Sequence, residues 1–381
     1  MRDVLDDLLR WCEAGEAVGL ATVVNTLRSA PRQSGASMLV GPDGTAAGSV
    51  SGGCVEGAVY ELAQQVMATG TPVLQRYGVS DDDAFAVGLT CGGIVDVYVE
   101  RVDKASFAEL PAVAQSVAAG EPVAVVTCVD GGAERLGRRI TVWPGRCSGS
   151  LGSARLDDAV VDDVRGMLAA GSTRTMHYGS DGERRGQELT LFVSSFAPRP
   201  RMLVFGAIDF AAAVAQIGAF LGFHVTVCDA RPVFATPKRF PAADEVIVQW
   251  PHRYLQAEVD AGRVDTRTVV CVLTHDPKFD VPLLEVALRE DVGYVGSMGS
   301  RRTHTDRLQR LREAGLNEGE LARLASPIGL DLGARTPEEV AVSIAAEFVA
   351  ARWGGSGRSL ALLDTGIHHD VTDQRDVPML A

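Results

Sequence analysis

One segment of this chain is written twice. Residues 15–24 (GEAVGLATVV) return as 120–129 (GEPVAVVTCV), GSVSGGCVEGAVYELAQQVMATGTPVLQRYG from Gly48 returns as GSLGSARLDDAVVDDVRGMLAAGSTRTMHYG from Gly149, and GIVDVYVE returns as QELTLFVS, with an offset of about 100 residues throughout. A repeat of this length must be a supersecondary unit that the chain builds twice, which leaves few architectures open. Each copy reads as a strand, a hairpin-like second strand (SMLVGPDG, RITVWPG), a glycine/serine loop, an amphipathic helix and a closing strand of alternating polarity (VDVYVERV, LTLFVSSF). In the first copy Val55, Ala58, Val59, Leu62, Ala63, Val66 and Met67 follow the stripe of a 3.6-residue period, so one face of that helix belongs to a core. Residues 1–197 therefore read as a duplicated α+β domain, its copies spanning about 11–100 and 116–196.

Pro198-Arg199-Pro200 resists both helix and sheet and makes a linker. Beyond it, RMLVF, FHVTVCD, EVIVQ, TVVCVLT and VGYVGS are short apolar runs separated by helical stretches. That alternation predicts a Rossmann-like, doubly wound parallel sheet over 198–353, giving an α/β chain overall. Thr336-Pro337-Glu338-Glu339 combines a capping threonine, a proline at the first helical position and a glutamate at the third, and opens a helix to about Arg352. Residues 354–381, starting GGSGRS, read as a tail.

Charge and cysteine content exclude several classes of function. Lys plus Arg at 36 against Asp plus Glu at 49 gives −13, a field that repels phosphate backbones and anionic lipid, so neither nucleic acid nor a membrane is expected as a partner. No run reaches the 18 or so apolar residues of a spanning helix, and the first residues lack a basic region followed by an apolar core, so the expected location is the cytoplasm. Seven cysteines without CxxC spacing disfavour a disulfide framework, a zinc ribbon and an iron–sulfur cluster. A special cysteine here would act as a thiol.

Two thiols stand out. Cys54 follows Gly52 and Gly53 at the expected start of the first-copy helix, where unpaired N–H groups and the helix dipole would favour a thiolate that can attack or ligate a soft metal. The competing reading is a buried structural cysteine in a tight turn. The second copy has Arg155 at that position, so the turn itself does not demand a cysteine; Glu56, by contrast, is matched by Asp157 and reads as a capping device. Cys91, beside Gly92 and Gly93, is likewise missing from the second copy, although a cysteine entering a strand is commonly core. Two thiols without nearby histidines fall short of a structural zinc site and suit soft-ligand or sulfur chemistry.

In the second domain, Gly206-Ala207-Ile208-Asp209 stands where a dinucleotide fold carries its glycine fingerprint, and Asp229 lies where an acid would bind ribose hydroxyls. Ile208 replaces the glycine that lets pyrophosphate approach, which argues against tight NAD(P) binding. His275 and Asp276 end a strand and suit acid–base or hydrogen-bonding work, or else a helix cap beside a solvated histidine. Gly299, Ser300, Arg301 and Arg302 open a helix with two guanidinium groups; cations oppose the dipole there, which favours a bound phosphate over a merely solvated helix start.

Taken together, SVSGGCVEG, GLTCGG, VFGA, CDARPVFATPKRFPAAD, LTHDPKFD, VGSMGSRRT and PIGLDLGARTPEEVAVSIAAE resemble the XdhC/CoxI family over about residues 11–352. The resemblance implies an accessory protein rather than a catalyst. It would bind molybdenum cofactor, as molybdopterin or a nucleotide form, and assist its sulfuration and insertion into the apoenzyme of a molybdenum hydroxylase of the xanthine dehydrogenase or carbon monoxide dehydrogenase type. It further implies a homodimer and a cysteine desulfurase as a second partner. Cys54 would then contact molybdenum with Cys91 beside it, and the cofactor phosphate would lie by Arg301 and Arg302, with His275 and Asp276 facing the same cleft and Cys54 across it. The family pattern has Gly-Ala-Gly-His after the first Rossmann strand, where this chain has Gly206-Ala207-Ile208-Asp209. An NAD(P)-dependent oxidoreductase is the competing reading.

Overall fold

The computed structural model describes residues 1–27, 32–78 and 93–364, which form two compact units, one ending at Pro198 and the other starting at Arg199. In the first unit the duplication is complete down to its topology. α1 (Leu5–Glu13), β1 (Val18–Leu27), β2 (Ser37–Val40), β3 (Ala46–Gly48), α2 (Glu56–Thr69), β4 (Val73–Tyr77) and β5 (Ile94–Val102) make the first copy. α3 (Leu110–Ala118), β6 (Val123–Asp130), β7 (Arg139–Val142), β8 (Cys147–Gly149), α4 (Ala154–Ala170), β9 (Arg174–Tyr178) and β10 (Leu189–Phe196) make the second. The sheets run β3-β2-β1-β5-β4 and β8-β7-β6-β10-β9, with every neighbouring pair antiparallel.

Even the irregularities recur. Between Val23 and Asn25, and again between Cys128 and Asp130, the register slips by one residue, so Val24 and Val129 are matching bulges. A bulge turns its side chain out of the regular alternation, and Val24, Val129, Tyr98 and Phe192 meet in one buried cluster formed by both copies. α2 closes one face of the first sheet with Val59, Ala63 and Val66, and α4 does the same for the second with Leu156, Val160 and Val164. α1 and α3 contribute Leu8, Leu110 and Val113 to a core shared with both sheets. Each fully buried aliphatic side chain contributes about 1.5–3 kcal/mol, so neither copy would keep that shared core alone.

The second unit contains β11 (Arg201–Phe205), α5 (Asp209–Phe220), β12 (His224–Asp229), β13 (Glu245–Val248), α6 (Pro251–Asp260) and β14 (Val269–Val272), then α7 (Pro277–Arg289), β15 (Tyr294–Ser297), α8 (Arg301–Glu313), α9 (Glu318–Ala322), β16 (Leu324–Ala325) and α10 (Pro337–Trp353). Its six strands are parallel in the order β13-β12-β11-β14-β15-β16, the doubly wound arrangement. α5 and α10 cover one face, and α6, α7, α8 and α9 the other. The capping box at Thr336 is formed in both directions, with the Glu339 amide donating to the threonine hydroxyl and the Thr336 amide donating to the Glu339 carboxylate. No helix among the described residues is long and apolar enough to cross a membrane.

Candidate functional site

The two copies part company in the loop before the long helix. In the second copy Ser153 caps α4, which begins at Ala154; its counterpart in the first copy is Gly52 by alignment of the Gly48 and Gly149 segments, and α2 begins only at Glu56. The positions that are helical around Arg155 are therefore unwound around Cys54. Gly52 and Gly53 hold φ of 77° and 119°, which side-chain-bearing residues rarely adopt, and nothing lies within 4 Å of where their Cβ atoms would be. The two glycines serve backbone conformation and leave open space above the loop.

Glu56 holds this unwound segment. Its carboxylate accepts from the Ser49 hydroxyl at 2.7 Å, the Ser51 hydroxyl at 2.5 Å, and the amides of Ser51, Gly52 and Gly53 at 2.8, 2.9 and 2.8 Å. Asp157, one methylene shorter, accepts from only one hydroxyl and one amide, those of Ser150 and Leu151. Burial raises the Glu56 pKa, but the Ser49 and Ser51 hydroxyls and the loop amide of Ser51 outweigh it and hold the group at about 2. The geometry corrects the expectation of free donors at Cys54. The amides expected to stand unpaired beside it are committed, those of residues 51–53 to Glu56 and those of Cys54 and Val55 to the Ser51 hydroxyl at 3.0 Å each. Cys54 itself is half-buried, and its position rests on this clamp rather than on open helix donors. Cys91 lies outside the described residues.

The remaining candidates gather at the carboxyl edge of the parallel sheet, around the point between β11 and β14 where strand order reverses and where ligands bind in open α/β folds. Gly206 has φ 111°, and a Cβ there would stand 2.9 Å from the Thr274 methyl and 3.0 Å from its amide, so only glycine lets the two loops pass. Asp229 also departs from expectation. It is 3% exposed, and its oxygens accept from the Ala207 amide at 2.7 Å, the Arg231 amide at 2.8 Å and the Arg231 guanidinium at 2.9 and 2.8 Å. With these acceptor positions filled, Asp229 anchors the Gly206 turn instead of facing a ribose. Burial raises its pKa, and the Arg231 guanidinium and both amides more than reverse that.

Asp276 caps α7 by accepting from the Lys278 amide at 3.1 Å and pairs with the Lys278 ammonium, while His275 is exposed beside it. Ser300 caps α8 in the same way through the Thr303 amide, after Gly299 at φ 155°. Arg301 and Arg302 follow as the first two residues of α8, both exposed, and no carboxylate pairs with either among the described residues. Beneath them lies a network that no sequence pattern announced. Asp280 accepts from the Thr274 hydroxyl and from the Arg307 guanidinium at 3.1 Å, and Arg307 also donates to the Met298 carbonyl at 2.9 Å and the Ser326 hydroxyl at 3.0 Å. Asp280 and Arg307 are both buried, so this ion pair fixes the β14 and β15 loops to one another. Its signal is an acid and an arginine on the inward faces of α7 and α8, legible only once those helices are known to pack together. No group of three or more His, Cys, Asp or Glu side chains suited to a metal ion occurs among the described residues.

Comparison with known proteins places the chain. The model of the XdhC and CoxI family matches residues 11–78 and 116–179, and that of the XdhC Rossmann domain matches 202–348. A Bacillus subtilis protein named as a probable xanthine dehydrogenase subunit is 30% identical over 356 residues, covering 92% of this chain and 96% of the relative. The chain belongs to the XdhC and CoxI family. A second family relative, the Escherichia coli protein named molybdenum cofactor insertion chaperone PaoD, is 27% identical over 351 residues, 92% of this chain and 88% of its own. Among solved structures, one described as a xanthine dehydrogenase from Bacillus halodurans is similar with a TM-score of 0.66 and 25% identity, over 94% of this chain and 98% of that one. XdhC membership thus covers both units and the loops that carry Cys54 and Arg301.

Proposed function

We propose that this XdhC family member is an accessory chaperone that binds molybdenum cofactor as its cargo and assists the cofactor's sulfuration and insertion into the apoenzyme of a molybdenum hydroxylase of the xanthine dehydrogenase or carbon monoxide dehydrogenase type, with a cysteine desulfurase as sulfur source. The names of its relatives support the cargo and the partner. The observation that carries the reading is the asymmetry between the copies: one of two otherwise matching units delays its helix, adopts two left-handed glycines and commits a five-bond carboxylate clamp to present a cysteine. A fold seeking only stability would keep the helix, as the second copy does.

The donor chemistry suits such a cargo. A pterin dithiolene brings its own sulfur ligands to molybdenum, so the protein need add only a soft contact, for which a thiol such as Cys54 or Cys91 is suited. The cofactor's phosphate needs donors that stay charged at every cellular pH, and Arg301 and Arg302 at the start of α8 meet that need. Gly52 and Gly53 would allow close backbone approach in the first unit, and His275 and Asp276 border the ligand edge of the second. The test is cofactor retained by protein purified from a molybdenum-sufficient host. Cys54→Ser is expected to lose most of it while remaining folded, with a similar loss in Cys91→Ser; retention equal to wild type in the folded Cys54 variant would overturn the assignment.

A further inference from the structure

Two aromatic rings of the second unit stand outside both of its cores. Trp250 immediately precedes α6 and Phe279 lies in the first turn of α7; their ring centroids are 5.2 Å apart with planes tilted by 47°, and neither joins the apolar cluster on either face of the sheet. Trp250 occupies the N-cap of α6, where a serine, threonine, asparagine or aspartate would accept a helix amide and an indole cannot. The indole is 41% exposed, although Phe279 packs against it and the His252 ring meets it at a steep angle with centroids 6.1 Å apart. A large ring that stands in place of a cap, is held by two neighbours and is still open to solvent is a preorganised surface for another ring.

Charged groups border the pair. Lys278 Nζ lies 4.8 Å from the Phe279 centroid and 3.1 Å from an Asp276 carboxylate oxygen. The Gln249 amide donates to the Asp229 carbonyl at 3.2 Å, which sets Trp250 one residue from the end of β12, and there the Arg231 guanidinium, held by the Asp229 carboxylate, lies 4.7 Å from the Phe234 centroid. All of these residues lie at or beyond the ends of β12, β13 and β14, at the carboxyl edge where ligands bind in open α/β sheets. Arg231 fills the acid that would hold a ribose, so this edge does not offer the usual dinucleotide contacts, yet the indole beyond it stays open. We propose that Trp250 and Phe279 form a stacking platform for a planar nitrogen heterocycle, with Lys278 and Asp276 supplying a donor and an acceptor to the ring's polar edge. Aromatic faces bordered by a cation and a carboxylate match a ligand that has both a π face and a carbonyl-and-amino edge, which an aliphatic side chain lacks. The source of the ring rests on the chaperone reading above: it is the pterin of the cargo or the base of its nucleotide form, which share this chemistry.

The experiment is calorimetric titration of the full chain, freed of cofactor, with 6-hydroxymethylpterin and separately with cytidine and guanosine monophosphates, followed in parallel by tryptophan fluorescence. Binding of at least one probe is expected, with quenching that disappears in Trp250→Ala. Trp250→Ala and Phe279→Ala should each weaken that probe about ten- to hundredfold with an unchanged circular dichroism spectrum, and Trp250→Phe should restore most of the affinity. Preference for the pterin assigns the platform to the pterin, and preference for a monophosphate assigns it to the base. Absence of binding by every probe at millimolar concentration, or equal affinity in folded Trp250→Ala, would overturn the proposal. Cofactor retention by protein from a molybdenum-sufficient host separates this result from the chaperone reading: wild type that binds a probe but retains no cofactor sinks that reading alone, whereas retention that folded Trp250→Ala leaves unchanged sinks the platform alone.

Discussion

Shortening Glu56 to aspartate would give the first copy the residue type that the second copy has. Asp157 reaches one amide and the Ser150 hydroxyl, so Glu56→Asp is expected to lose its bonds to the Gly52 and Gly53 amides while keeping contacts to the serines farther from the helix. A hydrogen bond to a charged group contributes about 1.5–3 kcal/mol, but both glycines are exposed and water replaces the carboxylate in part, so the expected loss is about 1–2 kcal/mol in urea unfolding. Glu56→Gln removes the charge instead. The displacement of the carboxyl from 4.5 to about 2 corresponds to about 3 kcal/mol at most, and roughly 2 after allowance for solvent at this half-buried site. The sign follows from the depressed folded-state value. This contribution is complete above pH 4.5 and is lost as pH falls toward 2, so the stability gap between wild type and Glu56→Gln should be constant from about pH 8 to 5 and narrow below that. Retained molybdenum cofactor separates presentation of Cys54 from mere capping. Both variants should lose about tenfold in retention. A Glu56→Asp protein that is less stable by the expected amount yet keeps its cofactor would refute the idea that the unwound loop serves the thiol.

Three further outcomes follow from the second unit. Arg301→Ala and Arg302→Ala should each weaken cofactor binding about ten- to hundredfold, the equivalent of about 1.5–3 kcal/mol, and leave stability within about 0.5 kcal/mol, because neither residue has a carboxylate partner among the described residues; a fall in unfolding midpoint with unchanged affinity would refute it. Asp280→Asn should cost about 3–5 kcal/mol by leaving Arg307 buried without its counter-charge, read as an earlier urea transition of this unit. Calorimetric titration with NAD should show no micromolar binding, since Ile208 stands at the pyrophosphate turn and Asp229 is saturated by Ala207 and Arg231; a micromolar Kd would restore the oxidoreductase reading.

What is legible in the sequence is whatever a local pattern encodes. The parallel sheet and the Thr336 capping box are written in short-range spacings and the duplication in the recurrence of whole segments, and folding adds little to them. The α1–α3 pairing and the matching bulges at Val24 and Val129 are not legible, because an amphipathic stripe or an apolar strand does not name what it will pack against. The site divides in the same way. Aligning the copies singles out Cys54 against Arg155, but not the delay in helix onset, which depends on the reach of Glu56 across five donors. Asp229 invites a ribose-binding reading because its true partner, Arg231, lies two residues on and folds back onto it, a choice that only the geometry of the turn decides.

The centre of the first unit shows why one copy could change while the other did not. Register matches Glu100 to Ser194 and Arg139 to Ser37, so a symmetric pair of copies would carry two equivalent contacts there. Instead the buried Glu100–Arg139 ion pair joins β5 of the first copy to β7 of the second, while Ser37 is hydrogen-bonded to Thr22 within its own copy. Burial raises the Glu100 pKa against the pull of Arg139, so neither charge could remain there without the other. A single such pair requires two copies that differ in sequence, as they do within one chain. In a dimer of identical single copies both residues would appear on both sides and leave a second pair to be buried. Fusion therefore lets the halves specialise, and the same freedom explains the loops. The second copy has the capped helix over its own sheet, and the first can begin its helix later because the shared core is built by α1, α3 and the strands and takes nothing from α2 or α4.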